Sequence, residues 1–118
     1  MTQEISFSQH PAFPAITIVT LKGHITGGPQ AVEFSTHINK LVATGTRHLV
    51  ADLSGIQLIN SSGLGMLVGG LTTLRKNGGV MRFAATPANV MNLLEMTRLN
   101  TVFEMYDSVD AAVAKVVK

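Results

Sequence analysis

The stretch from Asp52 to Leu74 constrains this chain more than any other. An apolar strand, His48 to Leu53, leads into it, and the hydroxyl-rich turn Asn60-Ser61-Ser62-Gly63 follows. Apolar residues then recur at Leu64, Leu67, Val68, Leu71 and Leu74, the three-and-four spacing of one helix face. Strand, polar turn and amphipathic helix in this order make half of a β–α–β unit, which commits the chain to an α/β architecture. Any one of Asn60, Ser61 and Ser62 can cap the helix. The free N–H groups and partial positive charge of a helix amino end also suit a phosphate, bound or covalently attached.

The rest of the chain repeats that alternation. Glu4 to Gln9 alternates, with Ile5 and Phe7 on one side and Ser6 and Ser8 on the other, and predicts an edge strand. His10 to Pro14 predicts a turn. Ala15 to Leu21 is β-branched and apolar, a central strand buried on both faces. Gly23 to Pro29 reads as a loop, and Pro29 suits the first turn of a helix carrying Ala31, Phe34, Ile38, Leu41 and Val42 inward and ended by Gly45. The second helix ends at Asn77-Gly78-Gly79; Val80 to Ala85 is a strand and Pro87 starts a short helix with Val90, Leu93 and Leu94 inward. Thr101 to Tyr106 is the last strand. Ser108 caps a final helix with Val109, Ala112, Val113, Val116 and Val117 apolar, Asp110 near its start and Lys115 and Lys118 near its end. The order β-β-α-β-α-β-α-β-α predicts one domain over residues 1–118: a mixed, mostly parallel five-stranded sheet with four helices.

Several function classes are excluded on this reading. The nine Lys and Arg are scattered, with only Arg75-Lys76 adjacent, so no nucleic-acid patch forms. The longest nearly apolar run, Gly63 to Leu71, falls far short of the ~18 residues of a membrane span, so no membrane insertion is expected. The absence of cysteine suits a cytoplasmic protein and removes thiol chemistry. His10, His24, His37 and His48 lack metal-ligand spacing, so neither a metal nor a cofactor is expected. Asn60 stands where a G-x-S-x-G elbow needs its first glycine, and no phosphate-binding G-x-x-x-x-G-K-[ST] occurs. Gly63-Leu64-Gly65 begins like a dinucleotide fingerprint, but Val68 fills the third glycine's slot and the next strand carries no acid. Gly69-Gly70 suggest close helix packing, at about 1 kcal/mol each in a helix. With no paired acid and base in view, the chain is not expected to be an enzyme.

Asp52-Leu53-Ser54, followed after a gap by Ser61-Ser62-Gly63-Leu64-Gly65, resembles the signature of the anti-sigma factor antagonists of the STAS domain family, and the element order over residues 4–116 fits that family's fold. The resemblance implies a protein-binding module of a bacterial partner-switching system. Ser61 would be phosphorylated by a serine kinase that doubles as an anti-sigma factor, and a PP2C-type phosphatase would reverse it; Ser62 is the second choice. Asp52, Asn60, Ser62, Gly63, Thr26 and Met66 would shape the contact surface, and Thr26, Gly27, Leu58, Ile59, Met66 and Met96 beside the site would make an exposed apolar rim suited to a protein partner. Asp52 has a plainer reading as a hydrogen-bond acceptor for nearby backbone, and Leu58, Ile59 and Met66 as ordinary core. The chain departs from the family at three acidic positions, where it has His24, Thr26 and Asn60. Two other readings stay open: a phosphorylation-independent STAS subunit or scaffold, as in a lipid-transport ATPase, and a small enzyme or nucleotide binder on a similar sheet.

Overall fold

A computed structural model describes residues 4–117; Lys118, expected to complement the last helix dipole, lies outside them. The elements are β1 (Ile5–Gln9), β2 (Ile16–Ile25), α1 (Pro29–Ala43), β3 (His48–Ile59), α2 (Ser61–Lys76), β4 (Val80–Ala84), α3 (Ala88–Met96), β5 (Glu104–Tyr106) and α4 (Val109–Val117). The strands form one sheet in the order β1-β2-β3-β4-β5. β1 runs antiparallel to β2 and every other neighbour is parallel, so the first strand is the odd one at the edge, as its sequence predicts. A helix bridges each parallel pair because parallel neighbours need a crossover.

Period-two alternation divides the sheet between two cores. Leu49, Ala51 and Leu53 of β3 face the larger one with Val19, Leu21, Met81 and Phe83, under Phe34 and Ile38 of α1 and Leu64, Leu67, Leu71 and Leu74 of α2. Val50 faces the smaller one with Ile16 and Ala84, under Ala112 and Val113 of α4. Ser108 caps α4, its Oγ accepting from Ala111 N at 3.0 Å.

Three strand boundaries differ from the sequence reading by more than one residue. β2 and β3 both run past Leu21 and Leu53, to Ile25 and Ile59, through register shifts between Thr20 and Lys22 and between Gly23 and His24. Glycines make the shifts possible: Gly23 has φ +76°, and a Cβ on Gly55 would lie 2.7 Å from Lys22 Cβ. β5 holds only Glu104–Tyr106, because Thr101 to Phe103 close a turn in which Val102 N donates to Leu99 O at 3.1 Å. The extended ends of β2 and β3 carry the ladder to the start of α2, where Asn60 N donates to Ile25 O at 3.3 Å.

Candidate functional site

The amino end of α2 shows which polar residue does which job. Asn60 is the cap: its backbone is extended (φ −110°, ψ −178°) and its Oδ1 accepts from Gly63 N at 2.8 Å. Leu64 N donates to Asn60 O at 2.9 Å. Ser61 and Ser62 are therefore the first two helical residues rather than caps. Both are exposed, and neither hydroxyl makes a hydrogen bond among the described residues. The first turn carries no acidic side chain. No Asp, Glu, Lys or Arg occurs from Leu53 to Leu74, so no charged side chain of this stretch offsets the partial positive charge of the helix end at Ser61.

Two glycines bring α2 against its neighbours. Gly63 is buried beneath the end of β2, where a Cβ would collide with the Ile25 carbonyl. Gly27, at φ +81°, leaves so little room that a Cβ there would stand 3.0 Å from Ser62 Cβ. The β2–α1 loop is thus one wall beside the serines, with Thr26 exposed on it. The loop is tied back by Gln30, whose Oε1 accepts from Thr26 N at 2.9 Å and Gly27 N at 3.2 Å, and by Glu4 beyond it. Sequence reading missed Glu4 and Gln30, and no local signal marks them, because the two are 26 positions apart.

Asn60, Ser61, Ser62, Gly63 and Thr26 come together at one corner of the sheet. Two expected residues do not join them. Met66 is 7% exposed and belongs to the larger core, because α1 packs over that side of α2; it forms no part of an exposed rim. Asp52 sits eight positions before Asn60 on the α4 face of β3, sharing the parity of Val50. Its Oδ1 accepts from Ser54 N at 3.1 Å and Ser54 Oγ at 2.8 Å. Leu58 and Met96 are exposed, at 48% and 79%, and Ile59 is half-buried. Gly63 contributes by close approach, not by exposed surface.

A second polar cluster lies under α4. Arg82 is buried in β4; its Nη1 donates to His48 Nδ1 at 3.3 Å and its Nε lies 3.3 Å from Glu104 Oε1. The Nε contact is an ion pair without hydrogen-bond alignment. Tyr106 OH donates to the same Glu104 oxygen at 2.7 Å. Burial and the neighbouring guanidinium hold His48 below its usual pKa. The Tyr106 hydrogen bond, followed by Arg82, holds Glu104 low. Burial, reinforced by that hydrogen bond, pushes Tyr106 up. Among the described residues no three His, Asp or Glu side chains group as a metal site, and no helix is long and apolar enough to cross a membrane.

With the geometry in place, comparison with known proteins identifies the family. The STAS domain profile matches residues 8–112, and the chain belongs to that family. The anti-sigma F factor antagonist of Paenibacillus polymyxa is 33% identical over 61 residues, 52% of this chain and 52% of that protein, so the match spans about half the relative's length. An anti-sigma factor antagonist from Mycobacterium paratuberculosis has a TM-score of 0.78 at 24% identity, over 97% of this chain and 93% of that one. The Bacillus cell fate determinant SpoIIAA in its phosphorylated form has a TM-score of 0.72 at 13% identity, over 94% of this chain and 99% of that one. These structural likenesses establish the shared fold.

Proposed function

We propose that this STAS domain is an anti-sigma factor antagonist whose binding is switched by phosphorylation of Ser61. The observation that carries the reading is the division of labour at α2: Asn60 performs the capping, so the exposed Ser61 hydroxyl has no structural duty. Phosphate adds a charge of about −1.5 to −2 and three acceptor oxygens. A helix amino end without first-turn acids accommodates that charge, so the fold tolerates modification. A partner surface packed on Ser61 does not, because bulk, desolvation and unpaired charge all oppose the contact. The matched relative is an anti-sigma F factor antagonist, and the SpoIIAA of the same fold has a phosphorylated form, which supports the reading. The partners it implies are an anti-sigma factor serine kinase and a PP2C-type phosphatase, and the domain itself is a bacterial, cytoplasmic, non-enzymatic binding protein.

Incubation with the cognate kinase and ATP, followed by mass spectrometry, tests this. One phosphate is expected on the wild type and on Ser62→Ala, and none on Ser61→Ala. A wild type left unmodified by every kinase of this class in its genome favours the phosphorylation-independent STAS subunit. So does a Ser61→Asp variant that binds the kinase as tightly as the wild type.

A further inference from the structure

The loop beside the serine turn is held from outside its own segment. Glu4, just ahead of β1, accepts two hydrogen bonds on separate oxygens: His24 N donates to Oε2 at 3.0 Å and Gln30 Nε2 donates to Oε1 at 2.6 Å. Gln30 Nε2 also donates to His24 O at 2.9 Å, while its Oε1 takes the N–H groups of Thr26 and Gly27. Gly23 makes room for this arrangement, since a Cβ at its φ of +76° would stand 2.9 Å from Glu4 Oε2. On the far side of the loop, Gly27 abuts Ser62. A continuous line of contacts therefore runs from Glu4 through Gln30 and Thr26-Gly27 to the serine turn.

We infer that Glu4 and Gln30 are positioning residues for partner recognition: they preset the Thr26–Gly27 loop as a rigid wall of the surface around Ser61. The inference rests on the proposed reading of Ser61 as the residue a kinase meets. The physical case has three parts. The Glu4–Gln30 bond is short and charge-assisted, the stronger kind. The Gln30 side chain is bonded at both its oxygen and its nitrogen, so its position is fixed in two directions. A loop ordered before binding spares the partner the cost of ordering it, so the gain falls on affinity. The bracket also holds the end of β2, where the His24 N–H and C=O are both bonded to it.

Charge exchange tests the pair. Glu4→Gln keeps an acceptor for only one of the two donors, and Gln30→Glu sets a second carboxylate against the first. The double exchange restores a donor–acceptor pair in the opposite sense. Amide hydrogen exchange at Thr26 and Gly27 reads the loop directly, and Gln30→Ala is expected to speed it about tenfold or more. Phosphorylation by the cognate kinase reads recognition. Each single exchange is expected to raise the kinase's KM about tenfold, the scale of one charge-assisted hydrogen bond, with kcat unchanged and much of the loss recovered in the double variant. Unchanged amide exchange overturns the bracket. Faster exchange with an unchanged KM overturns its role in recognition. A wild type that the kinase ignores overturns the Ser61 reading and the recognition role together. The amide exchange rates of that same wild type and of Gln30→Ala still decide whether the bracket holds the loop.

Discussion

Three polar residues stand in a row at the amino end of α2, and stability separates the cap from the two serines. Asn60→Ala removes the acceptor for Gly63 N and is expected to cost about 1 kcal/mol in urea unfolding. Ser61→Ala and Ser62→Ala remove exposed hydroxyls without partners and should stay within about 0.5 kcal/mol of wild type. A loss at Ser61 equal to that at Asn60 would make the serine a structural residue and undercut the switch. The turn itself is legible in the sequence, because hydroxyl-rich residues between an apolar strand and a helical pattern have few other uses. Which residue caps is not, since that depends on the extended backbone at Asn60, set by its bond to Ile25 across the sheet. Met66 misleads for a related reason. Its position on α2 suits either a rim or a core, and only the packing of α1 decides between them.

The glycines of α2 separate packing from helix propensity. A Cβ on Gly63 meets backbone at Ile25, which cannot move aside, so Gly63→Ala is expected to cost more than about 2 kcal/mol. A Cβ on Gly70 would lie 2.6 Å from Phe34 Cε2 and 3.1 Å from Met81 Cε, side chains that can yield, so Gly70→Ala should cost about 1–3 kcal/mol. Gly65 and Gly69 have open space at the same position, and alanine there should stabilise α2 by roughly 0.5–1 kcal/mol. Chemical denaturation of the four variants checks the contrast; destabilisation at Gly65 or Gly69 would mean that α2 has no room for a methyl group there. Gly69-Gly70 thus carry the close packing read from the sequence at Gly70 alone. Element existence and order are legible because strand and helix periods differ so clearly. The ends of β2 and β3 are not, because Gly23 and Gly55 look like loop residues until their bulged register brings the two strands together.

At the scale of the molecule, the two faces of the sheet differ in kind. The buried side chains of the α1–α2 face are apolar apart from Thr17, in register with Leu49, whereas the α4 face holds Arg82 among His48, Glu104 and Tyr106. Arg82 is an obligate donor, so His48 Nδ1 must accept and the neutral ring carries its proton on Nε2. Protonating His48 would set two cations against each other. Its pKa in the fold lies below 6.5, so below that pH the unfolded chain binds the proton more readily, and stability is lost as pH falls. Glu104 adds a second loss further down: its contribution is full above 4.5 and disappears as pH drops through its lowered value. Tyr106 works at the other limit. Its raised pKa favours the neutral phenol in the fold, so stability present below 10.0 is lost as pH rises beyond it. The expected profile is a dome whose acid side has two steps, and His48→Gln is expected to remove the upper step while keeping the lower. Urea midpoints for wild type and variant at about pH 8, 5.5 and 3.5 measure both steps. Identical falls in the two proteins between the first two conditions would mean that the His48–Arg82 contact does not govern that side of the dome. A flatter variant would tie the acid sensitivity of the fold to the α4 face, the side of the sheet turned away from Ser61's helix.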